Sequence, residues 1–322
     1  MKLIWRTDIH LSDKTPVSRK DNWKETIFKK IQQVGKIAEE HDAVAVLDGG
    51  DFFDIKSPSR NSHELVREVL DVHKEYPCPV YANVGNHDCV YGDYQFLPQQ
   101  PLGVLFSSGC FQRLYDEHEV TFEKDGVKVR VVGVPYHGVE YDMERFKSIK
   151  KGDEDWLVCI AHVLASEKGG TMFEGEDIVK YSDLTDLDPD VFCFGHWHKN
   201  QGIKSISHTR QQWVVNIGSL SRGSLTQDNL DRVPCVALME FDKEGIHLIE
   251  IPLEIEDAEE VFDIEKRLQE QVREDTMNQL VSSIQTKLES TQGLDLRSAV
   301  KALDLPDTVK ERAISYIEKV DR

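Results

Sequence analysis

Apolar positions along the chain switch between two periods. A short apolar run from Leu3 to Thr7 gives way to a polar stretch that reaches Lys20. Trp23, Ile27, Ile31, Val34 and Ala38 then recur at three- and four-residue steps, the spacing of an amphipathic helix. Ala43 to Leu47 is continuously apolar, reads as a buried strand, and ends in Asp48-Gly49-Gly50-Asp51. A second helix carries Leu65, Val66, Val69 and Leu70, and Val80 to Val84 forms another buried strand. Two strand–helix–strand crossovers in succession predict parallel strands with helices outside.

From Val120 the pattern changes. Val120–Phe122 and Val127–Val134 flank Lys124-Asp125-Gly126, a hairpin signal. Trp156 to Ala161 and Val191 to Phe194 are short and buried; Trp213 to Ile217, Cys235 to Phe241 and Ile246 to Ile251 read as further strands. The prediction is a mixed α/β fold, two sheets in a sandwich flanked by helices, spanning residues 1–254 as one catalytic domain. Asp257 to about Ser290 then lacks Gly and Pro, and Ile264, Leu268, Val272, Leu280, Ile284 and Leu288 fall on a helical stripe. Pro306 suits the first position of a last helix bearing Val309, Ala313, Ile317 and Val320. Residues 255–322 are thus expected to be a helical tail, too small for a core of its own.

Composition narrows the chemistry. Acidic residues outnumber basic ones, 58 to 39, for a net charge of −19. That surplus argues against coating nucleic acid or anionic membrane by bulk charge, so a polyanionic substrate needs a local positive source such as bound metal. No apolar run approaches the roughly 18 residues of a membrane span. The chain opens on Lys2-Leu3-Ile4-Trp5 without a signal-peptide core, so no membrane association and a cytoplasmic location are expected. The six cysteines show no CxxC spacing and are read as free thiols of a reducing compartment.

Five signatures fall at the C-terminal ends of predicted strands, where ligands bind in α/β sheets. They are Asp8-Ile9-His10, Gly50-Asp51-Phe52-Phe53-Asp54, Gly85-Asn86-His87-Asp88, His162, and Gly195-His196-Trp197-His198. The Asp-x-His and His-x-His spacings put alternate side chains on one face of an extended segment. Two carboxylates, four imidazoles and one carboxamide, with no thiolate, favour two borderline divalent ions.

These signatures resemble those of calcineurin-like metallophosphoesterases over about residues 1–254. Asp8-Ile9-His10-Leu11, Gly50-Asp51-Phe52-Phe53-Asp54 followed by Ser57-Pro58-Ser59, and Asn216-Ile217-Gly218-Ser219-Leu220 are similar to the SbcD-type DNA double-strand-break-repair exonuclease branch. Ile55-Lys56 stands where phosphoprotein phosphatases carry Arg-Gly, and Ser12 where the SbcD-type branch carries Gly. The resemblance implies that Asp51 bridges two divalent metals, Mn²⁺ first, with Fe²⁺, Zn²⁺ and Mg²⁺ as alternatives. It places Asp8, His10 and His198 at one ion, and Asn86, His162 and His196 at the other. It makes His87 the candidate general acid, Asp88 the carboxylate that orients His87, and Asp54 a support for the metal loop. His137 is the one rival to His162.

The implied activity is phosphodiester hydrolysis on DNA, as the nuclease subunit of a repair or recombination complex. The implied partner is an SMC-like ABC ATPase of the SbcC type, docked through C-terminal helices, and a second copy of the chain is a further candidate. The reduced tail puts duplex-end specificity at issue. The alternative is a stand-alone phosphodiesterase for nucleotides or other small phosphoesters.

Overall fold

A computed structural model describes residues 1–90, 93–169 and 175–265, together with positions 300, 310 and 314. The chain divides into two compact units, Met1–Phe262 and Asp263–Arg322.

The strands of the first unit are β1 (Lys2–Arg6), β2 (Ala45–Asp48), β3 (Val80–Ala82), β4 (Phe111–Arg113), β5 (Val120–Lys124), β6 (Val127–Val134) and β7 (Trp156–His162). They continue with β8 (Ala165–Ser166), β9 (Val179–Lys180), β10 (Val191–Gly195), β11 (Gly202–Ser205), β12 (Trp213–Asn216), β13 (Cys235–Phe241) and β14 (Ile246–Pro252). One six-stranded sheet runs β14-β13-β1-β2-β3-β4 and the other β11-β12-β10-β7-β6-β5. β1 to β4 are parallel, as the crossovers predict, and the β13–β14 hairpin closes the edge antiparallel to β1.

Alternation along the strands builds the layers. Leu3, Trp5, Ala45 and Leu47, with Met239 beside them on β13, face the second sheet and pack with Val129, Val158, Ile160 and Val191. Ile4, Val46, Val80 and Ala82 face outward, onto helices α1 (Trp23–Glu40) and α2 (His63–Lys74). Both helices begin at side-chain caps: Asn22 accepts from Glu25 N–H, and Ser62 from Leu65 N–H. The far face of the second sheet, with Leu157, Cys159, Phe192 and Phe194, is covered by Phe146, Tyr181 and Leu184. The result is the expected two-sheet α/β sandwich between helical layers. A short helix at Pro101–Ser107 and the edge strand β4 carry no periodic signal of their own.

All six cysteines are free thiols. The first unit runs past Glu254 to Phe262, because Val261 and Phe262 are buried against Leu225 and the Arg19 guanidinium lies 4.9 Å over the Phe262 ring. The tail positions Leu268, Val272, Leu280, Ile284, Leu288, Val309, Ala313, Ile317 and Val320 lie outside the described residues. Among the described residues no helix is long and apolar enough to cross a membrane.

Candidate metal centre

The loops after β1, β2 and β3 of the first sheet, and the ends of β7 and β10 of the second, converge on one spot. Three overlapping sets of donors gather there: Asp8, His10 and His198; His10, Asp51 and His87; and Asp51, His162 and His196, each set with its donor atoms within 4.8 Å of one another. Asn86 joins the third set, with Oδ1 3.2 Å from His162 Nε2.

The convergence does not come from extended strand ends. Asp8, His10, Asp51 and His196 have φ of 53°, 50°, 54° and 81°, so alternation along a strand does not place these side chains. Such backbone costs a non-glycine residue roughly 1–3 kcal/mol and persists only where neighbours over-determine it. Here they do. Asp8 N–H donates to Gly50 O at 3.1 Å, His10 N–H to Asp51 O at 3.0 Å, and Leu11 N–H to Phe52 O at 2.9 Å. The first and second metal loops are thereby laced together. A Cβ on Gly85 would stand 2.1 Å from Asp51 Oδ1, and one on Gly195 would stand 2.4 Å from Thr7 Oγ1 and 3.0 Å from His162 Nδ1. These glycines let the third loop and the second sheet close on the centre.

Each carboxylate and ring is held. Asp8 Oδ2 accepts from Thr7 Oγ1 at 2.7 Å, and both of its oxygens accept from His196 N–H. Asp51 Oδ1 accepts from His87 N–H at 2.7 Å. His162 Nδ1 donates to the Gly49 carbonyl at 2.8 Å, which turns Nε2 toward Asp51 Oδ2 at 3.3 Å. Burial opposes charge on His10, yet the carboxylates of Asp54, Asp8 and Asp51 outweigh it and hold its pKa up at about 10. His162, buried too, is raised to about 9, chiefly by Asp51. Burial works upward on the Asp8 and Asp51 carboxyls, but the surrounding imidazoles hold both well below the usual range.

The donor set fits divalent ions. His198 Nε2 lies 3.5 Å and His10 Nε2 3.8 Å from Asp8 Oδ1, and His10 Nε2 lies 3.7 Å from Asp51 Oδ2. Ligands around a single ion at roughly 2.0–2.2 Å from nitrogen or oxygen stand on the order of 3–3.5 Å apart, so these separations need only a small contraction. The His10 and His198 Nε2 atoms meet at 3.0 Å, close enough to share a proton as they stand and to share one cation in its place. Nitrogen and carboxylate donors without thiolate suit Mn²⁺, Fe²⁺ or Zn²⁺.

The auxiliary residues divide differently from the expectation. His87 Nδ1 donates to the Asp54 carbonyl at 2.6 Å, and its half-exposed ring stands edge-on to His10 at 4.8 Å. Asp88 does not orient this ring as the resemblance implies. Its Oδ2 accepts instead from Asp51 N–H at 2.7 Å and Gly85 N–H at 2.9 Å, and among the described residues it makes no hydrogen bond to His87. The reason is register: the turn after β3 points Asp88 back under the second metal loop. Burial and the Asp51 charge push the Asp88 carboxyl up to about 7. Asp54 approaches His10 Nδ1 at 3.4 Å, beside the loop it is expected to support. His137 has both ring nitrogens on backbone groups, Nδ1 at 2.9 Å from Pro135 O and Nε2 at 3.2 Å from Asp142 N–H, which removes it as a rival ligand. Glu176 escapes a reading of the sequence. Its Oε1 accepts from His196 Nε2 at 2.9 Å and from the Tyr141 hydroxyl at 2.7 Å. It lies between strand signals, where periodicity marks nothing.

Two six-stranded sheets with overlapping Asp/His clusters in the loops beyond their strands fit the class of metal-dependent phosphoester hydrolases. The model of the calcineurin-like phosphoesterase family matches residues 1–200, and the chain belongs to that family, whose members bind two divalent metals. Among solved structures, one crystal structure of a protein from Thermus thermophilus is 12% identical over 77% of this chain and 98% of its own, with a TM-score of 0.44. A hypothetical protein from the same organism is 11% identical over 78% of this chain and 100% of its own, with a TM-score of 0.44 as well. Likeness at that level says nothing of substrate.

Proposed function

We propose that the chain hydrolyses phosphodiester bonds in DNA as an SbcD-type nuclease subunit, working with an SMC-like ABC ATPase. The observation that carries the hydrolytic part is the overlap of the donor sets: His10 and Asp51 each belong to two of the three, and of the two only Asp51 has a pair of carboxylate oxygens that could serve two ions. In this reading Asp8, His10 and His198 hold one ion, and Asn86, His162 and His196 the other. Two such ions would supply polarisation of a phosphoryl oxygen and a water of lowered pKa as nucleophile. With Asp8 and Asp51 counted, the filled cluster would carry a charge of about +2, the local positive source that an acidic chain needs for a polyanion.

The protein's own groups do the rest. His87 Nδ1–H is anchored on the Asp54 carbonyl, which leaves Nε2 as the ring's second position for a proton. In its protonated form it would donate that proton to the leaving oxygen as the P–O bond breaks, while the attacking water forms the new P–O bond and releases a proton to solvent. A cleft of about 310 Å³ opens beside His10, His87 and His198, edged by Lys14, Pro16 and Val17. Lys14 supplies a cation for a neighbouring phosphate, and Pro16 and Val17 an apolar shelf.

The DNA assignment is supported by the motif wording around Asp8, Asp51 and Asn216. The alternative, a small-phosphoester hydrolase, is favoured by the modest volume of that cleft. Linear, single-stranded, hairpin and plasmid DNA should be compared with cyclic nucleotides and bis(p-nitrophenyl) phosphate in Mn²⁺. Degradation of DNA with kcat/KM well above that for the small esters is expected. Turnover of the small esters alone would overturn the nuclease reading while leaving the phosphodiesterase one.

A further inference from the structure

We propose that Glu176 is a positioning residue that sets the tautomer and orientation of His196, and through it the strength of one of the two metal positions. The proposal rests on His196 being a ligand, as read above. His196 sits in left-handed backbone with φ of 81°, directly after the last residue of β10. Its backbone is secured by the N–H donated to Asp8 Oδ1 and Oδ2 at 3.2 and 3.1 Å. That fixes where the ring starts but not its rotation. Glu176 Oε1 meets Nε2 at 2.9 Å, with both side chains 9% exposed. An ionised carboxylate can only accept, so the proton of the neutral ring is on Nε2 and the lone pair on Nδ1. A carboxylate behind one ring nitrogen raises the basicity of the other toward a cation.

Glu176 is itself braced. The same oxygen accepts the Tyr141 hydroxyl at 2.7 Å, and that hydroxyl accepts from Leu164 N–H at 2.9 Å. The next residue repeats the stitch: Asp177 Oδ2 accepts from Tyr141 N–H at 2.9 Å, and Asp177 N–H donates to Val139 O at 2.8 Å. The carboxylate therefore reaches His196 with its rotamer already chosen. His162 provides the contrast on the same sheet, because its ring is oriented by the neutral Gly49 carbonyl. The two rings therefore differ in the group that orients them, a neutral carbonyl for His162 and a carboxylate for His196.

The test uses the full chain and two readouts. Calorimetric titration with Mn²⁺ measures both metal positions, and long-range ¹H–¹⁵N spectra of the metal-free protein report the His196 tautomer. Glu176→Ala should weaken one Mn²⁺ position about 10–100-fold, leave the other unchanged, and abolish the single Nε2–H tautomer. Glu176→Gln, whose carboxamide oxygen still accepts from Nε2–H, should keep the tautomer and lose less than about 10-fold. Tyr141→Phe, which removes only the brace, should cost roughly threefold. Wild-type Mn²⁺ affinity and an unchanged tautomer in Glu176→Ala would overturn the proposal. So would a Gln variant that keeps the tautomer yet loses as much affinity as Ala, since Glu176 would then be a ligand itself. His196→Ala separates the two levels: if it still binds two Mn²⁺ ions normally, the ligand reading fails and this proposal with it.

Discussion

The two sheets bring different chemistry to the same cluster. The loops of the first sheet supply Asp8, Asp51, Asp54 and Asp88, whereas the strand ends of the second supply His162, His196 and His198 and no carboxylate. The supporting structure differs accordingly. Asp8, His10 and Asp51 are locked in left-handed backbone by cross-loop hydrogen bonds, and Asp88 grips the Asp51 amide from below. On the second sheet His162 is simply the last residue of a regular strand, aimed by one bond from its ring. Burying a carboxylate is expensive unless it is hydrogen-bonded and faces a cation, so the charged half needs the rigid scaffold. An imidazole ligand needs chiefly a fixed ring orientation. The carboxylate side of the centre is therefore held by cross-loop backbone bonds, and on the other side the rings of His162 and His196 are aimed by Gly49 and Glu176, with His196 alone sharing the left-handed backbone.

That division can be broken most severely at its charged end. Asp51→Asn should abolish metal-dependent hydrolysis and reduce metal content at both positions, and added Mn²⁺ should not restore it. His162→Asn, which replaces one neutral donor with another, should be rescued in part by high Mn²⁺. Metal analysis with activity assays distinguishes the two, and equal rescue of both variants would erase the contrast. His87→Ala should lower kcat by roughly 10²–10⁴ with metal content unchanged, and the loss should shrink on p-nitrophenyl esters, whose leaving group needs no proton. A loss independent of the leaving group would remove His87 as the acid.

The seam between the sheets is the next target. Gly195→Ala pushes a methyl group into Thr7 Oγ1 and His162 Nδ1, so the second sheet must retreat from Asp8. Activity should fall about 10²-fold with circular dichroism unchanged, the effect expected of displacing a reacting group by about 1 Å. Normal turnover would mean that the seam has slack. The mildest expected change is Asp54→Asn. It keeps the backbone carbonyl that holds His87 but removes the charge 3.4 Å from His10 Nδ1. Mn²⁺ affinity should drop about 10-fold, as for a carboxylate behind a ligating histidine, measured by calorimetry.

Much of this is legible in the residues alone. The period-two and period-3.6 patterns mark β1, α1, β2, α2 and β3, and short apolar runs that end in Asp, Asn or His mark where a sheet offers its ligands. The three donor sets contain only residues named from those runs. Their mode of convergence is not legible. An extended Asp8-Ile9-His10 would send both side chains to one face, but the left-handed turn is stabilised by Gly50, Asp51 and Phe52, which lie far along the chain.

Local periodicity was enough to settle the crossovers of the first half, residue type the chemical nature of the candidate donors, and the motifs carried the family resemblance that the family model bears out. Packing alone settled that Asp88 supports Asp51 and not His87, that His137 is spent on its own turn, and that Glu176 stands behind His196. Each of these is a hydrogen bond made within or between loops. Its partners are chosen by how two sheets pack and how a turn is registered, and no spacing along one strand or helix carries that information.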